Sequence, residues 1–527
     1  MNKIEIETLL PPELAFDELA RYEALLSAAG KIPGEADFVH LKRRSIDARG
    51  RQPLVRLRAD IYLQSPPSDL FGPWFVYPNV YSSKRRVLIV GAGPAGLFAA
   101  LRCIELGLKP IVLERGRDVR ARRRDLAAIN KEQHVDPDSN YCFGEGGAGT
   151  YSDGKLYTRA TKRGDVSRVL RRLVQHGATP DILVDAHPHI GTNKLPAVVQ
   201  ALREAIVEAG GEVRFETRVT DFILEQNKLR GVVIAAGEAI EADATILATG
   251  HSARDIYELL HRRGVLIEAK PFALGVRVEH PQALIDQAQY RRSERGLLPA
   301  ASYSLVHQTE VSGQQRGVFS FCMCPGGFIV PAATAPGEVV VNGMSPSRRD
   351  SRFANSGIVV AVELADMDLA RHGALAGLHF QQQVEQLACQ AAGGTQRAPA
   401  QLLGDFLKNK ASSSLLETSY QPGLVPVRMD EVLGPGLAER LRQGFRDFGR
   451  KIPGFATNEA QIIGVESRTS APIRIPRDKD TLQHPEVRAL FPCGEGAGYA
   501  GGIVSAAMDG ERCAEAVATA LAVGHSR

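Results

Sequence analysis

The sequence has no long apolar run, few cysteines and little net charge, and each of these features excludes a class of protein. Without an apolar run of about 20 residues, no helix is predicted to span a bilayer. The seven cysteines among 527 residues follow no regular spacing, which excludes a disulfide framework and suits a reducing compartment. The net charge of +4 gives no general affinity for nucleic acid. The acid-rich N-terminus does not fit a signal or transit peptide, so we expect a soluble, cytoplasmic protein.

The sequence also lacks a pattern of metal ligands. Cys322 and Cys324 are the only close pair of cysteines, and a single C-x-C pair does not provide the four-ligand spacing of a zinc site. We interpret the pair as two half-buried thiols in a strand, and no metal is predicted.

The length of the chain favours two or three domains. Residues 1–75 are predicted to form a small N-terminal α+β module, in which a helix that ends at Gly30 precedes two strands joined by a turn at 47–53. The stretch 64–79 is rich in Pro, Gly and Ser, as linkers are. Beyond it we predict a larger α/β domain in two parts, 84–262 and 456–527, and an inserted α+β domain at 263–455 that would bind a substrate.

A glycine turn at the start of the larger domain predicts a dinucleotide site. Gly91, Gly93 and Gly96 form G-x-G-x-x-G after an apolar strand and before a helix. The first glycine permits a tight turn, the second lets the backbone approach a pyrophosphate, and the third lets the helix pack on the sheet. Glu114 ends the next strand, where a carboxylate can bind ribose. A structural turn in a plain βαβ unit is the alternative. The predicted site also includes Ala92, Pro94 and Ala95.

Three later segments resemble the FAD-dependent oxidoreductases of the glutathione-reductase-like fold. Residues 244–250, ATILATG, resemble the short strand that follows the β-meander of that fold, and residues 211–222 resemble its adenine-contacting strand. Residues 489–510 resemble its final motif, with Gly494-Glu495 in place of Gly-Asp. The resemblance implies a Rossmann-like domain that binds FAD rather than NAD. It implies FAD contacts at Val219, Thr249, Gly250, Gly494, Glu495, Gly501, Gly502 and Ile503.

The segment 140–156, NYCFGEGGAGTYSDGKL, narrows the resemblance. With residues 342–357 and 466–477, it is similar to a group of uncharacterised FAD-dependent dehydrogenases, whose flavin domain is related to those of fumarate reductase and ketosteroid dehydrogenases. The resemblance implies non-covalent FAD beneath a glycine-rich loop, and a flexible surface loop is the alternative interpretation. The implied contacts in the loop are Gly146, Gly147 and Ser152. Arg115 begins a basic stretch directly after Glu114, where an arginine near the FAD phosphates is as plausible as a partner site.

Catalytic residues are harder to identify, because the flavin itself does the redox chemistry and the protein need only position a substrate and handle a proton. Arg468, Ser470 and Arg474 could clamp an anionic substrate. His251 could carry a proton, and Asn342 begins a segment that could cover the flavin. For each of them a salt bridge, an ordinary hydrogen bond or a turn explains the residue equally well.

Three functions follow from these observations. We favour an FAD-dependent oxidoreductase, a dehydrogenase or reductase that moves a hydride between flavin N5 and a small organic substrate. The second is a flavoprotein that modifies or docks on nucleic acid through the basic residues 40–60, although a solvated strand face is the preferred interpretation of that stretch. The third is a flavin redox sensor without turnover. Since no second glycine motif lies on a clear βαβ unit, we expect no dedicated NAD(P)H domain, and NAD(P)H remains open as a transient reductant.

Overall fold

The computed structural model describes residues 3–34, 38–64, 66, 70, 72, 74–158 and 160–523. The linker predicted at 64–79 falls partly outside these residues, because positions 65, 67–69, 71 and 73 are not among them. In the part of the chain that is described, no helix combines the length and the apolar character needed to cross a membrane.

Strands and helices occur in all parts of the chain. In chain order, the strands are β1 (Lys3–Leu10), β2 (Phe38–Asp47), β3 (Leu54–Tyr62), β4 (Arg86–Val90), β5 (Lys109–Leu113), β6 (Glu212–Arg214), β7 (Val219–Glu225), β8 (Lys228–Ile234), β9 (Ala239–Glu241), β10 (Ala244–Leu247), β11 (Glu268–Ala269), β12 (Phe272–Pro281), β13 (Val306–Val311), β14 (Gln314–Cys324), β15 (Phe328–Pro331), β16 (Val341–Met344), β17 (Phe353–Val362), β18 (Ala398–Leu402), β19 (Leu424–Pro426), β20 (Gln461–Glu466), β21 (Ile473–Arg474) and β22 (Leu490–Pro492). The helices are α1 (Pro12–Ala15), α2 (Glu18–Ala28), α3 (Pro94–Glu105), α4 (Val119–Glu132), α5 (Val166–Gln175), α6 (Leu195–Glu208), α7 (Arg254–Arg262), α8 (Gln282–Tyr290), α9 (Leu369–His372), α10 (Ala376–Ala391), α11 (Leu403–Leu407), α12 (Met429–Leu433), α13 (Pro435–Lys451) and α14 (Ile503–Val523).

The N-terminal module is an antiparallel sheet in the order β1-β3-β2 with α2 packed against it. The carboxylate of Asp17 accepts a hydrogen bond from the amide of Ala20 at 2.8 Å and so caps the start of α2. Gly30 follows the helix with a φ of 69°, the left-handed conformation that favours glycine there. The helix and the strands β2 and β3 agree with the sequence prediction, whereas β1 was missed.

A five-stranded parallel sheet in the order β22-β10-β4-β5-β6 forms the centre of the larger domain. Its central strands read as apolar runs, and β4 and β5 are buried almost throughout, as parallel strands covered on both faces are. The helices α3 and α14 pack against each other, and β7, β8 and β9 form an antiparallel meander beside the sheet. The predicted α/β fold with a parallel sheet is confirmed.

The inserted domain contains a seven-stranded sheet in the order β13-β14-β17-β12-β20-β18-β19. The helices α10, α12 and α13 contribute to its apolar core. Because β20 pairs with β12 and β18, this sheet extends to Glu466, past the predicted boundary at residue 455. Residues up to Val362 belong to the buried strand β17, whose run of β-branched residues suits a sheet, and the helices α9 and α10 follow it.

Candidate functional site

A cavity of about 410 Å³ lies at the carboxyl edge of the parallel sheet. Gly91, Glu114 and Thr249, which follow the ends of β4, β5 and β10, line it. Proteins with parallel sheets bind their ligands at this edge. Phe321 and Asn342 of the inserted domain line the same cavity, so the site is built from both domains.

Packing explains two of the three glycines in the turn between β4 and α3. A Cβ on Gly91 would lie 2.4 Å from the carbonyl oxygen of Ala248, and one on Gly96 would lie 1.9 Å from that of Gly91. A Cβ on Gly93 would meet no atom within 4 Å, so this glycine leaves open space beside the first turn of α3. The amides of that turn have no partner within the helix and, with the helix dipole, favour an anion.

Glu114 is buried, and its carboxylate holds three segments together. Oε1 accepts hydrogen bonds from the amides of Gly116 and Gly144, and Oε2 accepts one from the amide of Ala92, all at 2.9 Å. A carboxylate has about four acceptor positions. Oε2 therefore keeps one position toward the cavity, and the ribose contact predicted for Glu114 has room for a single hydrogen bond.

The glycine-rich loop at 140–156 is held in place by its own hydrogen bonds. The hydroxyl of Ser152 donates to the carbonyl of Gly149 at 2.7 Å and accepts from the amide of Gly154 at 3.0 Å. Gly147 lies against the turn, because a Cβ there would be 3.3 Å from the Cα of Gly93. The guanidinium carbon of Arg115 lies over the ring of Phe143, 4.3 Å from the ring centroid. These contacts favour an ordered loop that forms part of the cavity wall over a flexible surface loop.

Arg115 also lines the cavity, but its charge is balanced by two carboxylates. Its Nη2 donates to Asp138 at 2.7 Å and its Nη1 to Asp255 at 2.9 Å. The side chain is therefore oriented by protein partners, and any contact with a phosphate would be shared with them.

The C-terminal motif brings Glu495 and the start of α14 to the cavity. The Oε2 of Glu495 lies 3.6 Å from the Nε2 of His251, so the longer acid in place of aspartate faces this histidine. A Cβ on Gly501 or Gly502 would meet no atom within 4 Å, so both glycines leave open space beside the start of α14. The amide of Gly501 donates to the hydroxyl of Ser505 at 3.1 Å, whereas the amides in the first turn of the helix have no partner within it. Gly494 donates its amide to Asp509 at 2.8 Å, behind the cavity wall.

His251, the candidate proton carrier, lines the cavity. Burial lowers its pKa, although Glu495 acts in the opposite direction, and the imidazole is therefore neutral at neutral pH. Its Nδ1 lies 3.2 Å from the hydroxyl of Ser252. A neutral imidazole offers one donor and one acceptor, which is what a proton carrier needs.

Arg468 lines the cavity, yet its guanidinium is almost fully used within the protein. It donates to both oxygens of Glu385 at 3.1 and 2.9 Å, to Glu338 at 3.1 Å and to the hydroxyl of Thr334 at 2.7 Å. Arg254 binds the same two glutamates. Four of the five N–H groups of Arg468 are thus occupied, which supports the salt-bridge interpretation over a substrate clamp.

A buried polar network holds the wall that the inserted domain contributes. Arg277 donates to the side chains of Asn355 at 2.8 Å and Asn342 at 3.2 Å, and to the carbonyl of Cys322 at 2.6 Å. It is also paired with Glu466, whose pKa is raised to about 7 because burial outweighs the effect of Arg277. No local pattern marks Phe321 or Cys322 as cavity residues, and sequence reasoning missed both.

Most of the predicted cofactor residues share this cavity. Of the remainder, Gly96 packs α3 against the turn, and the amide of Gly146 donates to the carbonyl of Ala92 at 2.9 Å. The candidates Ser470 and Arg474 are not among the lining residues. The predicted residues that line the cavity are Gly91, Gly93, Pro94, Ala95, Glu114, Arg115, Gly147, Ser152, Val219, Thr249, Gly250, Glu495, Gly501, Gly502 and Ile503, and those behind it are Ala92, Gly96, Gly146 and Gly494.

The basic stretch in the N-terminal module is largely neutralised by acids. The Nε of Arg44 donates to Asp185 at 2.7 Å, and the Nε of Arg58 donates to Glu5 at 2.6 Å. Paired guanidinium groups release few counterions from a phosphate backbone. The geometry therefore agrees with the solvated strand face rather than with a nucleic-acid site.

Three known sequence families describe most of this chain. Residues 86–124 match an FAD binding domain, residues 156–306 match the FAD dependent oxidoreductase family, and residues 271–469 match the C-terminal domain-like family of FAD-dependent proteins. Residues 1–62 match a domain of unknown function.

Individual relatives cover different shares of the chain. An uncharacterized protein of Clostridium beijerinckii is 45% identical over 435 residues, which is 82% of this chain and 80% of that protein. A digeranylgeranylglycerophospholipid reductase of Methanosarcina acetivorans is 28% identical over 169 residues, 31% of this chain and 36% of the reductase. Among solved structures, a flavin-dependent brominase covers 83% of this chain and 79% of its own, with 14% identity and a TM-score of 0.37.

Proposed function

The chain belongs to a family of FAD-dependent oxidoreductases, and from that membership we propose that it binds FAD in the cavity between its two larger domains and transfers a hydride between flavin N5 and a small organic substrate. The observation that carries the proposal is that one cavity is lined both by the glycine turn, at Gly93, and by the inserted domain, at Asn342. A site closed by two domains can exclude water from the reacting atoms.

Each end of the cofactor has a suitable partner in this chain. The first-turn amides of α3 would hold the pyrophosphate, and Glu114 would accept one hydrogen bond from ribose through Oε2. The amides at Gly502 and Ile503 would face the negative charge that reduced flavin carries, which stabilises the reduced form. Bound FAD supplies the electron-pair chemistry. These contacts are all non-covalent, so acid denaturation is expected to release intact FAD.

His251 would serve as the proton carrier. It is neutral at neutral pH, lines the cavity and lies near Glu495, which can orient the ring. Arg468 and Glu385 would hold the inserted domain in its position against the parallel sheet. Arg254, at the start of α7, pairs with the same glutamates as Arg468. A substrate would enter from the side of the inserted domain.

The substrates named for the relatives do not transfer to this chain. The reductase match covers 31% of the chain, which leaves more than two thirds of the chain without a counterpart. We therefore propose the reaction class and leave the organic substrate open.

An anaerobic titration of the FAD-bound protein with NADH and with NADPH tests the proposal. Bleaching of the visible flavin band by one of them would identify a nicotinamide as the electron donor and direct the search toward an oxidised acceptor. A flavin that stays oxidised would indicate a dehydrogenase that its own substrate reduces, and a panel of organic couples then decides. A protein that takes up no FAD, or whose flavin no organic couple reduces or reoxidises, refutes the proposal.

A further inference from the structure

Two thiols of the inserted domain stand at the edge of the cavity. Cys322 is half-buried and lines the cavity together with Gly93, Gly147 and Ile503, whereas Cys324 is buried behind it. Neither is in a disulfide. The sequence alone favoured two packed thiols in a strand, whereas the structure places one of them in the wall of the cavity.

The backbone at Cys322 departs from a regular strand. Three residue steps on β14, from Phe321 to Cys324, lie opposite only two on β17, from Gly357 to Asn355. This is a β-bulge with one extra residue. Cys322 has a φ of 46°, a conformation that L-residues rarely adopt and that stores backbone strain.

The bulge turns the side chain of Cys324 back toward residue 322. The Cys324 thiol donates to the carbonyl of Cys322 at 3.3 Å. In a regular strand, side chains two residues apart stand side by side on one face without such contact. The bulge thus places the sulfur of Cys324 beside the residue that carries the other thiol.

Two cations stabilise negative charge at this point. Lys155 donates to the carbonyl of Met323 at 2.6 Å, and the Nη2 of Arg277 lies 2.6 Å from the carbonyl of Cys322 and 3.7 Å from the sulfur of Cys324. Hydrogen bonding from Cys324 lowers the pKa of Cys322 to about 5, with help from these cations and against the opposing effects of burial and of Asp153. The pKa of Cys324 is raised. One thiolate and one thiol therefore coexist at neutral pH, as in reactive dithiols.

We propose that Cys322 and Cys324 form a redox-active dithiol that exchanges an electron pair with the bound flavin. The proposal rests on the proposed function, because it needs FAD in this cavity. The Cys322 thiolate and the Cys324 thiol form a sulfur–sulfur bond, and the S–H bond of Cys324 breaks. Two electrons and the one proton pass to the oxidised flavin, so atoms and charge balance. In the reverse step the reduced flavin reduces the disulfide, so the dithiol holds an electron pair that came from a substrate. A small disulfide is the class of compound that would then oxidise the dithiol.

An electron count on the FAD-bound protein tests the proposal without any substrate. The air-oxidised holoprotein is titrated anaerobically with dithionite. The wild type is expected to take up two electron pairs per FAD, one for the flavin and one for the disulfide. The variants Cys322→Ser and Cys324→Ser are each expected to take up one. Cys142→Ser, which removes another thiol from the same cavity, is the matched control and is expected to take up two.

Mass spectrometry gives a second, independent readout. Trypsin releases both cysteines in one peptide, Gly317–Arg348, which contains no other cysteine. After oxidation and alkylation under denaturing conditions, this peptide is expected to be lighter by two hydrogens and to carry no alkyl group. Two alkylated thiols in the oxidised protein, together with one electron pair in the titration, overturn the proposal. A flavin that is reduced normally in that same experiment leaves the proposed function intact, whereas a protein without FAD refutes both.

Discussion

Gly93 and Gly96 lie three residues apart in one turn, and alanine substitutions at the two positions should have different effects. Gly93→Ala should mainly weaken FAD binding, whereas Gly96→Ala should mainly destabilise the apoprotein. At Gly93 the added Cβ would meet no protein atom within 4 Å and would enter the cavity. The φ of Gly93 is −74°, which any L-residue adopts, so the unfolding free energy of the apoprotein should fall by only about 0.5–1 kcal/mol for a poorer N-cap. A methyl group where the pyrophosphate approaches should cost about 2 kcal/mol of binding, or roughly thirtyfold in the Kd for FAD.

At Gly96 the clash is with the protein itself. The added Cβ would lie 1.9 Å from the carbonyl oxygen of Gly91 and 3.3 Å from the Cγ2 of Ile89. Overpacking of this kind costs about 1–3 kcal/mol, partly offset by the better helix propensity of alanine. We expect Gly96→Ala to lower the melting temperature of the apoprotein more than Gly93→Ala does.

The assay combines thermal unfolding of the apoprotein with a fluorescence titration by FAD. Gly436→Ala is the matched control, because its Cβ also meets nothing within 4 Å but lies in the exposed start of α13, outside the cavity. This control should bind FAD like the wild type. A Gly93→Ala protein whose Kd for FAD stays within threefold of the wild type would refute the placement of the pyrophosphate against Gly93.

Three further predictions concern buried charge. Glu114→Gln puts an NH₂ group against at least one of three backbone amides, so the protein should lose about 2 kcal/mol of stability and bind FAD more weakly. The exposed control Glu204→Gln should do neither, and equal melting curves for the two variants would contradict the prediction. Arg468→Met leaves the buried Glu338 and Glu385 to share the single guanidinium of Arg254, so it should cost about 3 kcal/mol in urea unfolding, much of it recovered by adding Glu385→Met. A loss of substrate affinity at unchanged stability would instead favour the clamp. Burial lowers the pKa of His280 to about 4, so as the pH drops the histidine of the unfolded state is protonated before that of the folded state. The unfolding free energy should therefore fall between about pH 7 and pH 4, by up to about 3 kcal/mol. In urea titrations at several pH values His280→Gln should show a shallower fall, and an unchanged slope would refute the assignment.

The nucleotide end of the site could be read from the sequence because its determinants are local. The strand, the turn around Gly93 and the helix that follows occupy 20 consecutive residues, from Arg86 to Glu105, and steric rules alone require small residues in such a turn. The motifs around Thr249 and Gly502 are equally compact. The helix cap at Gly30 likewise depends on neighbouring residues alone.

The substrate end could not be read in this way. Cys322 and Asn342 reach the cavity only because β14 and β16 belong to a domain that folds back over the parallel sheet. The strand β20 was assigned to the wrong side of a boundary, since its pairing with β12 joins residues almost two hundred positions apart. Sequence patterns carry no information on such pairings.

The sequence by itself determined the α/β class and predicted the glycine turn that the structure places at the cavity, because backbone sterics and hydrophobic periodicity act over a few residues. The tertiary structure decided how the polar groups are used. Glu114 proved to be an acceptor for three amides, and Arg468 a member of a buried ion cluster. The bulge that places Cys322 and Cys324 together also depends on a partner strand. These roles follow from which groups are desolvated side by side, and only the folded chain brings those groups together.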